Sequence, residues 1–288
     1  MTASNHKGIA SEIKIILAII IPALLAGFVT PAAAEYKPWN YNMFEIALYH
    51  GENGANSGGK STSDTYLELE GFHRYKLLDL YWFHDFFDIL NSSGSDLHNL
   101  KPSFYGEINP RISLDGLTGL DLSFWRFTEW FISYQFDYDN GDYKGGLQRH
   151  QIGLGTYLKL EHCDYIRLNL FARYAAKSYG KPNEDKWDGY LLNIAYSIPL
   201  YESNPDWSID YSGWSDIVFG ARESRRYENS WNDTSGTSYS LQWYNQLELK
   251  VKKHFAVSIS VKLNDKFTEV SGNSSSATQY IVGIHLIY

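Results

Sequence analysis

An all-β chain, folded as a 12-stranded antiparallel transmembrane β-barrel behind a cleaved signal peptide, is the architecture that the sequence predicts. Three observations predict it. Apolar and aromatic residues recur at every second position through a dozen separate segments. The connections between those segments alternate between long polar stretches and tight turns. The chain also starts with a segment that has the layout of an export signal.

Composition sets the outer limits. The 288 residues are 44% hydrophobic, 16% aromatic and 20% charged, at a mean hydropathy of −0.35. That is too polar for a bundle of transmembrane helices, each needing about 20 consecutive apolar residues. It is too aromatic and apolar for a disordered chain. The single cysteine, Cys163, excludes an internal disulfide and a cysteine-based zinc or iron–sulfur site. A net charge of −8 argues against the basic face that a nucleic-acid partner requires, so none is expected.

Residues 1–34 read as the signal peptide. His6, Lys7 and Lys14 precede an apolar run from Ile15 to Val29, and Pro31-Ala32-Ala33-Ala34 follows. A charged start, an apolar middle and a small-residue close define a secretory signal. The alternative is an uncleaved anchor, but the alanines favour a cut after Ala34. Residues 35–288 then form the barrel.

Strands follow at 41–51, 64–73, 76–89, 101–113, 126–139, 147–160, 165–179, 187–200, 206–222, 238–250, 253–265 and 277–288. Period two is the test, because successive side chains of a strand point to opposite faces. In the third segment Leu78, Leu80 and Trp82 alternate with Asp79, Tyr81, Phe83 and Asp85. In the seventh Ile166, Leu168, Leu170 and Ala172 alternate with Arg167, Asn169, Phe171 and Arg173. Leu241, Trp243, Leu247 and Leu249 face away from Gln242, Gln246, Glu248 and Lys250 in the tenth. Val257, Ile259 and Val261 are separated by Ser258, Ser260 and Lys262 in the eleventh, and Tyr280, Val282, Ile284, Leu286 and Tyr288 mark the twelfth. An even strand number returns a bacterial antiparallel barrel to its starting side.

Polar, Gly/Ser/Asn-rich stretches such as 52–63, 90–100, 223–237 and 266–276 follow odd-numbered strands. Tight turns at His73–Tyr75, Glu161–Asp164, Tyr201–Pro205 and Val251–Lys252 follow even-numbered ones. Long loops outside and short turns in the periplasm are the outer-membrane pattern, with both termini periplasmic. Two features sit badly: the link 114–125 is long for a periplasmic turn, and Pro110 lies in a strand that has no free edge. A soluble sandwich or lipocalin-like barrel is the alternative. Strands longer than ten residues argue against it, as tilted membrane-crossing strands require that length. So do the aromatics at strand ends (Trp39, Tyr41, Trp130, Trp187, Tyr190, Tyr196, Trp207, Tyr211), where interfacial belts lie.

With apolar residues facing lipid, the polar alternates line a lumen. The second to fourth strands place Tyr66, Glu68, Glu70, Asp79, Tyr81, Phe83, Asp85, Glu107 and Arg111 there; the sixth and seventh place Arg149, Lys159, Arg167, Phe171, Arg173 and Lys177. One wall is mostly acidic and another mostly basic, an arrangement that selects what passes. The same charges could equally pair with one another to fill a closed barrel. Aromatic faces beside ionised groups suit a nucleoside, whose base stacks and whose hydroxyls hydrogen-bond, and suit a sugar almost as well. The residues alone therefore read as a selective channel for a small polar solute.

Several short segments, in order, resemble the nucleoside-specific outer-membrane channel family (Tsx and its OmpK-like relatives). They are Asp64-Thr65-Tyr66-Leu67-Glu68-Leu69-Glu70, Asp79-Leu80-Tyr81 with Asp85, Glu107-Ile108-Asn109-Pro110-Arg111, Asp121-Leu122-Ser123-Phe124, Glu129-Trp130, Gly153-Leu154-Gly155-Thr156 and Trp187-Asp188-Gly189-Tyr190. The likeness spans about 64–200. It implies a monomeric barrel in the bacterial outer membrane that passes nucleosides and deoxynucleosides passively, without cofactor or metal. Glu68, Glu70, Asp79, Tyr81, Asp85, Glu107 and Arg111 match family positions. The roles assigned are base stacking for Tyr81 and Phe83, and ribose or base-edge contacts for the carboxylates and Arg111. One family member carries lumenal cations on its eighth strand where this chain has Leu191, Asn193 and Ala195. Some members serve phage or colicins through their outer loops, a role that the resemblance extends to this chain.

Two rival functions compete with this reading. An outer-membrane phospholipase also has twelve strands, but His150 on the lipid side has only Gln148 and Ile152 as neighbouring alternates, and neither is a nucleophile. Tyr211-Ser212-Gly213 is not a G-x-S-x-G elbow. No catalytic residue is expected. A less selective porin or a receptor barrel remains open; general porins usually have more strands and a wider lumen.

Overall fold

The computed structural model describes residues 37–54, 62–90, 104–140, 145–180, 183–203, 206–221, 237–266 and 276–288. The expected signal peptide lies outside the described residues, as do most of the long loops and any receptor surface on them.

The strands are β1 (Asn40–Gly54), β2 (Thr62–Tyr75), β3 (Leu78–Phe86), β4 (Phe104–Ser113), β5 (Phe127–Asp139), β6 (Leu147–Leu158), β7 (Tyr165–Ser178), β8 (Lys186–Ser203), β9 (Trp207–Phe219), β10 (Tyr239–Val251), β11 (Phe255–Asp265) and β12 (Ala277–Ile287). Each pairs antiparallel with its sequence neighbours, and β1 pairs with β12, so the sheet closes on itself. The Phe44 and Tyr288 backbones exchange hydrogen bonds of 3.1 and 2.8 Å across that seam. Closure satisfies every edge, which a sheet immersed in hydrocarbon requires.

The packing is inside out. Ile259 is 62% exposed, while Ser258 and Ser260 on either side are each 5% exposed. The largest fully buried side chains include Arg74, Arg111, Arg173, Gln135 and Gln151. Apolar alternates cover the outside and polar alternates fill the inside, as the period-two pattern predicts.

The two awkward features have local explanations. The link after β4 holds a short helix, α1 (Leu114–Thr118), capped by Ser113, whose hydroxyl accepts from the Gly116 amide at 3.0 Å. Asp115 accepts from the Leu122 and Trp130 amides, each at 2.8 Å, and folds the link against β5. Burial raises the Asp115 pKa, and those two amide hydrogen bonds oppose the rise. Pro110 faces lipid opposite Leu80, and the β4–β5 ladder skips residues 109 and 110. The Asn109 side-chain amide bridges the gap by donating to the Tyr134 carbonyl.

Three expectations need correction. The first turn sits at Lys76–Leu77, because β2 runs on to Tyr75. Lys177 is exposed, because a bulge opposite Gln148 and Arg149 inserts a residue and turns the end of β7 over; Lys159 lies beyond β6 and is exposed too. Trp39 and Tyr41 leave the lipid belt, because they share the inward parity of Glu45, Ala47 and Tyr49; Trp39 Nε1 donates to Glu129 at 3.4 Å.

Candidate functional site

Strand parity brings the lumenal candidates inside, except Lys159 and Lys177. The cross-strand partners are Glu68 with Asp85, Glu70 with Phe83, Asp79 with Arg111, Phe83 with Glu107, and Gly153 with Phe171. The inward residues divide into a sealed group and a partly open one.

The sealed group centres on Asp79. Arg111 donates to both its oxygens, from Nε at 3.0 Å and from Nη2 at 2.8 Å. Tyr157 Oη donates to it at 2.5 Å. Arg74 and Arg167 stand 3.9 and 4.0 Å away. The Arg111 guanidinium lies 4.2 Å from the Phe131 ring centroid and 4.6 Å from that of Tyr157, a cation held between two π faces. Gly155 leaves space for it, since a Cβ there would come within 3.3 Å of Arg111 Nη1. Arg74 pairs with Glu129 at 2.5 Å, and Ser113 donates to the same oxygen. Arg167 donates to Asn109 and lies over Tyr81 at 5.3 Å. The expected acidic and basic walls therefore interlock here, with Arg74 and Arg111 standing among the acids.

Other sequence candidates are closed off as well. Phe171 is fully buried against Leu191, Val218 and Ala221. Arg173 is 1% exposed and donates to the Asp188 carbonyl at 3.4 Å. Glu107, on β4, is buried as well. Arg149 is partly open and lies 3.5 Å from Asp137, whose other contacts are Gln135 and Gln151.

The partly open group contains Tyr66, Glu68, Glu70, Tyr81, Phe83 and Asp85 from β2 and β3. Phe83 has Tyr81 at 6.1 Å and Tyr105 at 5.7 Å between ring centroids. Tyr81 hydrogen-bonds to Glu70, and Glu68 to Asp85. Tyr66 stacks on Tyr49 at 5.2 Å. Sequence reasoning missed the side of the lumen built by β8–β11. There Asn193 donates to Asp216 at 2.7 Å, Trp214 stacks with Tyr244 at 5.9 Å, and Lys262 Nζ stands 4.9 Å over Trp214. Lys262 interacts electrostatically with Asp85, Asp216 and Glu68. It supplies a cation on β11, whereas Leu191, Asn193 and Ala195 on β8 face the lumen uncharged. Alternation along β11 places Lys262 on the same inward face as Ser258 and Ser260.

A lumen lined on two sides by rings, carboxylates and one lysine can hold a small planar solute carrying hydroxyl groups. Comparison with known proteins identifies the family. Residues 39–288 match the family model described as Nucleoside-specific channel-forming protein, Tsx. The Nucleoside-specific channel-forming protein Tsx of Escherichia coli O157:H7 is 33% identical over 211 residues, 69% of this chain and 69% of its own length. Outer membrane protein OmpK of Vibrio parahaemolyticus serotype O3:K6 is 31% identical over 168 residues, 57% of this chain and 60% of its own. Among solved structures, the NanC porin aligns with 84% of this chain and 98% of its own at 9% identity and a TM-score of 0.46. With a family match that runs from Trp39 through all twelve strands, the chain belongs to the Tsx family of channel-forming proteins.

Proposed function

We propose that this chain is a substrate-selective channel of the bacterial outer membrane, through which nucleosides and deoxynucleosides pass passively. Family membership makes it a channel and not an enzyme. The observation that carries the choice of solute is the partly open face of β2 and β3, where Tyr81 and Phe83 stand beside Glu68, Glu70 and Asp85. Phe83 and Tyr81 are assigned to stack the base. Glu68, Glu70 and Asp85 accept hydrogen bonds from ribose hydroxyls or the base edge, and Tyr66 and Arg149 complete the lining. Trp214, Tyr244 and Lys262 form the opposing side. Asp79, Arg111, Arg167, Arg173, Glu107 and Phe171 are assigned to holding that lining in shape, because they are buried. One chain closes the barrel, so a pore needs no second copy to be complete, and the channel is proposed to be a monomer, as the family resemblance implies.

Single-channel current in a planar bilayer tests this reading. Saturable block by nucleosides, absent with sugars and amino acids and weakened in Asp85→Asn, is the expected result. Current indifferent to every solute would leave a general pore. No current at all would leave a closed barrel serving as a receptor.

A further inference from the structure

Beside the proposed solute face, three potential metal ligands converge near the start of β1 and the ends of β10 and β12. His285 is fully buried, and Glu45 and Glu248 are 8% and 6% exposed. His285 Nδ1 lies 2.6 Å from Glu45 Oε1 and 3.7 Å from Glu248 Oε2, and the ligand atoms of all three lie within 4.8 Å of one another. We propose that these residues form a divalent-cation site in the lumen wall, with Zn²⁺ as the ion whose ligand preferences they match.

The surroundings are arranged for convergence. Ala47 and Ala256, the residues paired with His285 on β1 and β11, are 1% and 0% exposed and leave the wall low on both sides of the imidazole. Gly283 clears the space beside it, since a Cβ there would meet Ser258 Oγ at 2.6 Å and His285 Nε2 at 2.8 Å. Tyr49 closes the pocket edge-on, 5.2 Å from the imidazole. Nε2 is 2.8 Å from Ser258 Oγ. An Nε2–H donating to that hydroxyl leaves the Nδ1 lone pair for an ion, the outer-shell arrangement typical of metal-bound histidine. Glu248 is held from behind, by Gln246 Nε2 on Oε2 at 3.2 Å and by Lys250 Nζ near Oε1 at 3.4 Å.

Charge and geometry favour the same occupant. Glu70 stands directly opposite Glu45, and Asp210 directly opposite Glu248. Among the described residues Lys250 is the cation in contact with this group, 2.6 Å from Asp210, so Glu45, Glu70, Asp210 and Glu248 together outweigh it. Buried carboxylates in excess of their counter-ions are met by a proton or by a metal. Zn²⁺ bonds nitrogen and carboxylate oxygen at 2.0–2.2 Å, so tetrahedral ligands stand about 3.4 Å apart. The Nδ1–Oε2 spacing is already close to that, and the Nδ1–Oε1 spacing reaches it by a shift of Glu45 on the order of 1 Å. One imidazole and two carboxylates suit borderline first-row divalent ions better than the all-oxygen preference of Mg²⁺ or Ca²⁺. Three protein ligands leave a fourth position open to water.

Isothermal titration of Zn²⁺ into the untagged, folded barrel in detergent tests the site without reference to nucleosides. The expected result is one saturable ion per chain, with affinity lowered at least tenfold in Glu45→Gln, Glu248→Gln and His285→Ala, and unchanged in His254→Ala at the exposed β10–β11 turn. Retention of the folded, heat-modifiable gel mobility qualifies each variant. Unsubstituted protein gives an independent readout: Co²⁺ should produce visible absorption of a four-coordinate nitrogen–oxygen site that equimolar Zn²⁺ bleaches. No saturable binding, or binding untouched in all three ligand variants, would overturn the proposal.

Discussion

Arg111 and Asp79 form a two-pronged ion pair on adjacent strands, both fully buried, with hydrogen bonds of 3.0 and 2.8 Å. The pair is not symmetrical. Asp79 has Arg74 and Arg167 within 4.0 Å as reserve partners, whereas Arg111 relies on Asp79. Removing one member of a buried pair costs about 3–5 kcal/mol when the other is left uncompensated. Asp79→Asn should therefore lower stability by about that amount, and Arg111→Met by less. Urea titration of the folded barrel, followed by tryptophan fluorescence, measures both. Equal losses would mean that Arg74 and Arg167 do not share the Asp79 charge.

At the proposed solute face, Phe83 is partly open and flanked by Tyr81 and Tyr105. Stacking of a base on an aromatic ring contributes about 1–3 kcal/mol. Phe83→Ala should thus weaken nucleoside block of the single-channel current by about 5- to 150-fold. Phe83→Tyr should retain most of it. Equal block in Phe83→Ala and the parent protein would move the stacking surface elsewhere, with Trp214 and Tyr244 next in line.

Gly153 faces β7 so closely that an added Cβ would lie 1.8 Å from the Leu170 carbonyl oxygen. Backbone cannot rotate aside as a side chain does. Gly153→Ala should cost about 3 kcal/mol or more, the upper range for overpacking. At Gly51 the nearest obstacle to a Cβ is the Gln279 side-chain amide, at 2.6 Å. Because that amide can swing away, Gly51→Ala should cost less than Gly153→Ala. The yield of heat-modifiable barrel on refolding compares the two.

The lipid face makes its own prediction. Ile259 projects outward from the middle of β11, and Ile259→Arg places a charge in hydrocarbon at about 2–4 kcal/mol near the bilayer midplane. Val251→Arg, at the end of β10, should cost less than about 1 kcal/mol, because the penalty falls towards the interface. Refolding into vesicles across a urea series resolves the difference. Equal penalties at both positions would place the membrane differently along the barrel.

Strand number, order and facing were legible because one physical rule, apolar out and polar in, acts on every strand alike. Bulges were not legible. The turnover of Lys177 arises from an extra residue opposite Gln148 and Arg149, and neither sequence segment signals it. The inward parity of Trp39 could be read from β1, but its partner Glu129, 90 positions away, could not. At the candidate site, Tyr81, Phe83 and Asp85 could be placed from alternation, but the burial of Asp79, Arg111 and Phe171 could not. Which lumenal residues are sealed depends on contacts across the barrel, such as Tyr157 with Asp79, 78 positions apart. Lys262 and Trp214 were accessible to the same alternation but lay beyond the span of the resemblance.

The seam between β1 and β12 governs the order of assembly. Every other pairing joins strands adjacent in sequence and can form as a local hairpin. Glu45 and His285 meet across 240 positions. Bringing chain ends together over that distance costs about 5 kcal/mol in configurational entropy beyond the fixed closure term, and no local contact repays it in advance. The meander must therefore exist first as an open ribbon with two long unpaired margins, β1 and β12, and only then zip shut. Contact order makes that last step the slow one. It is also the stage at which the unpaired edges of β1 and β12 can pair with a neighbouring chain.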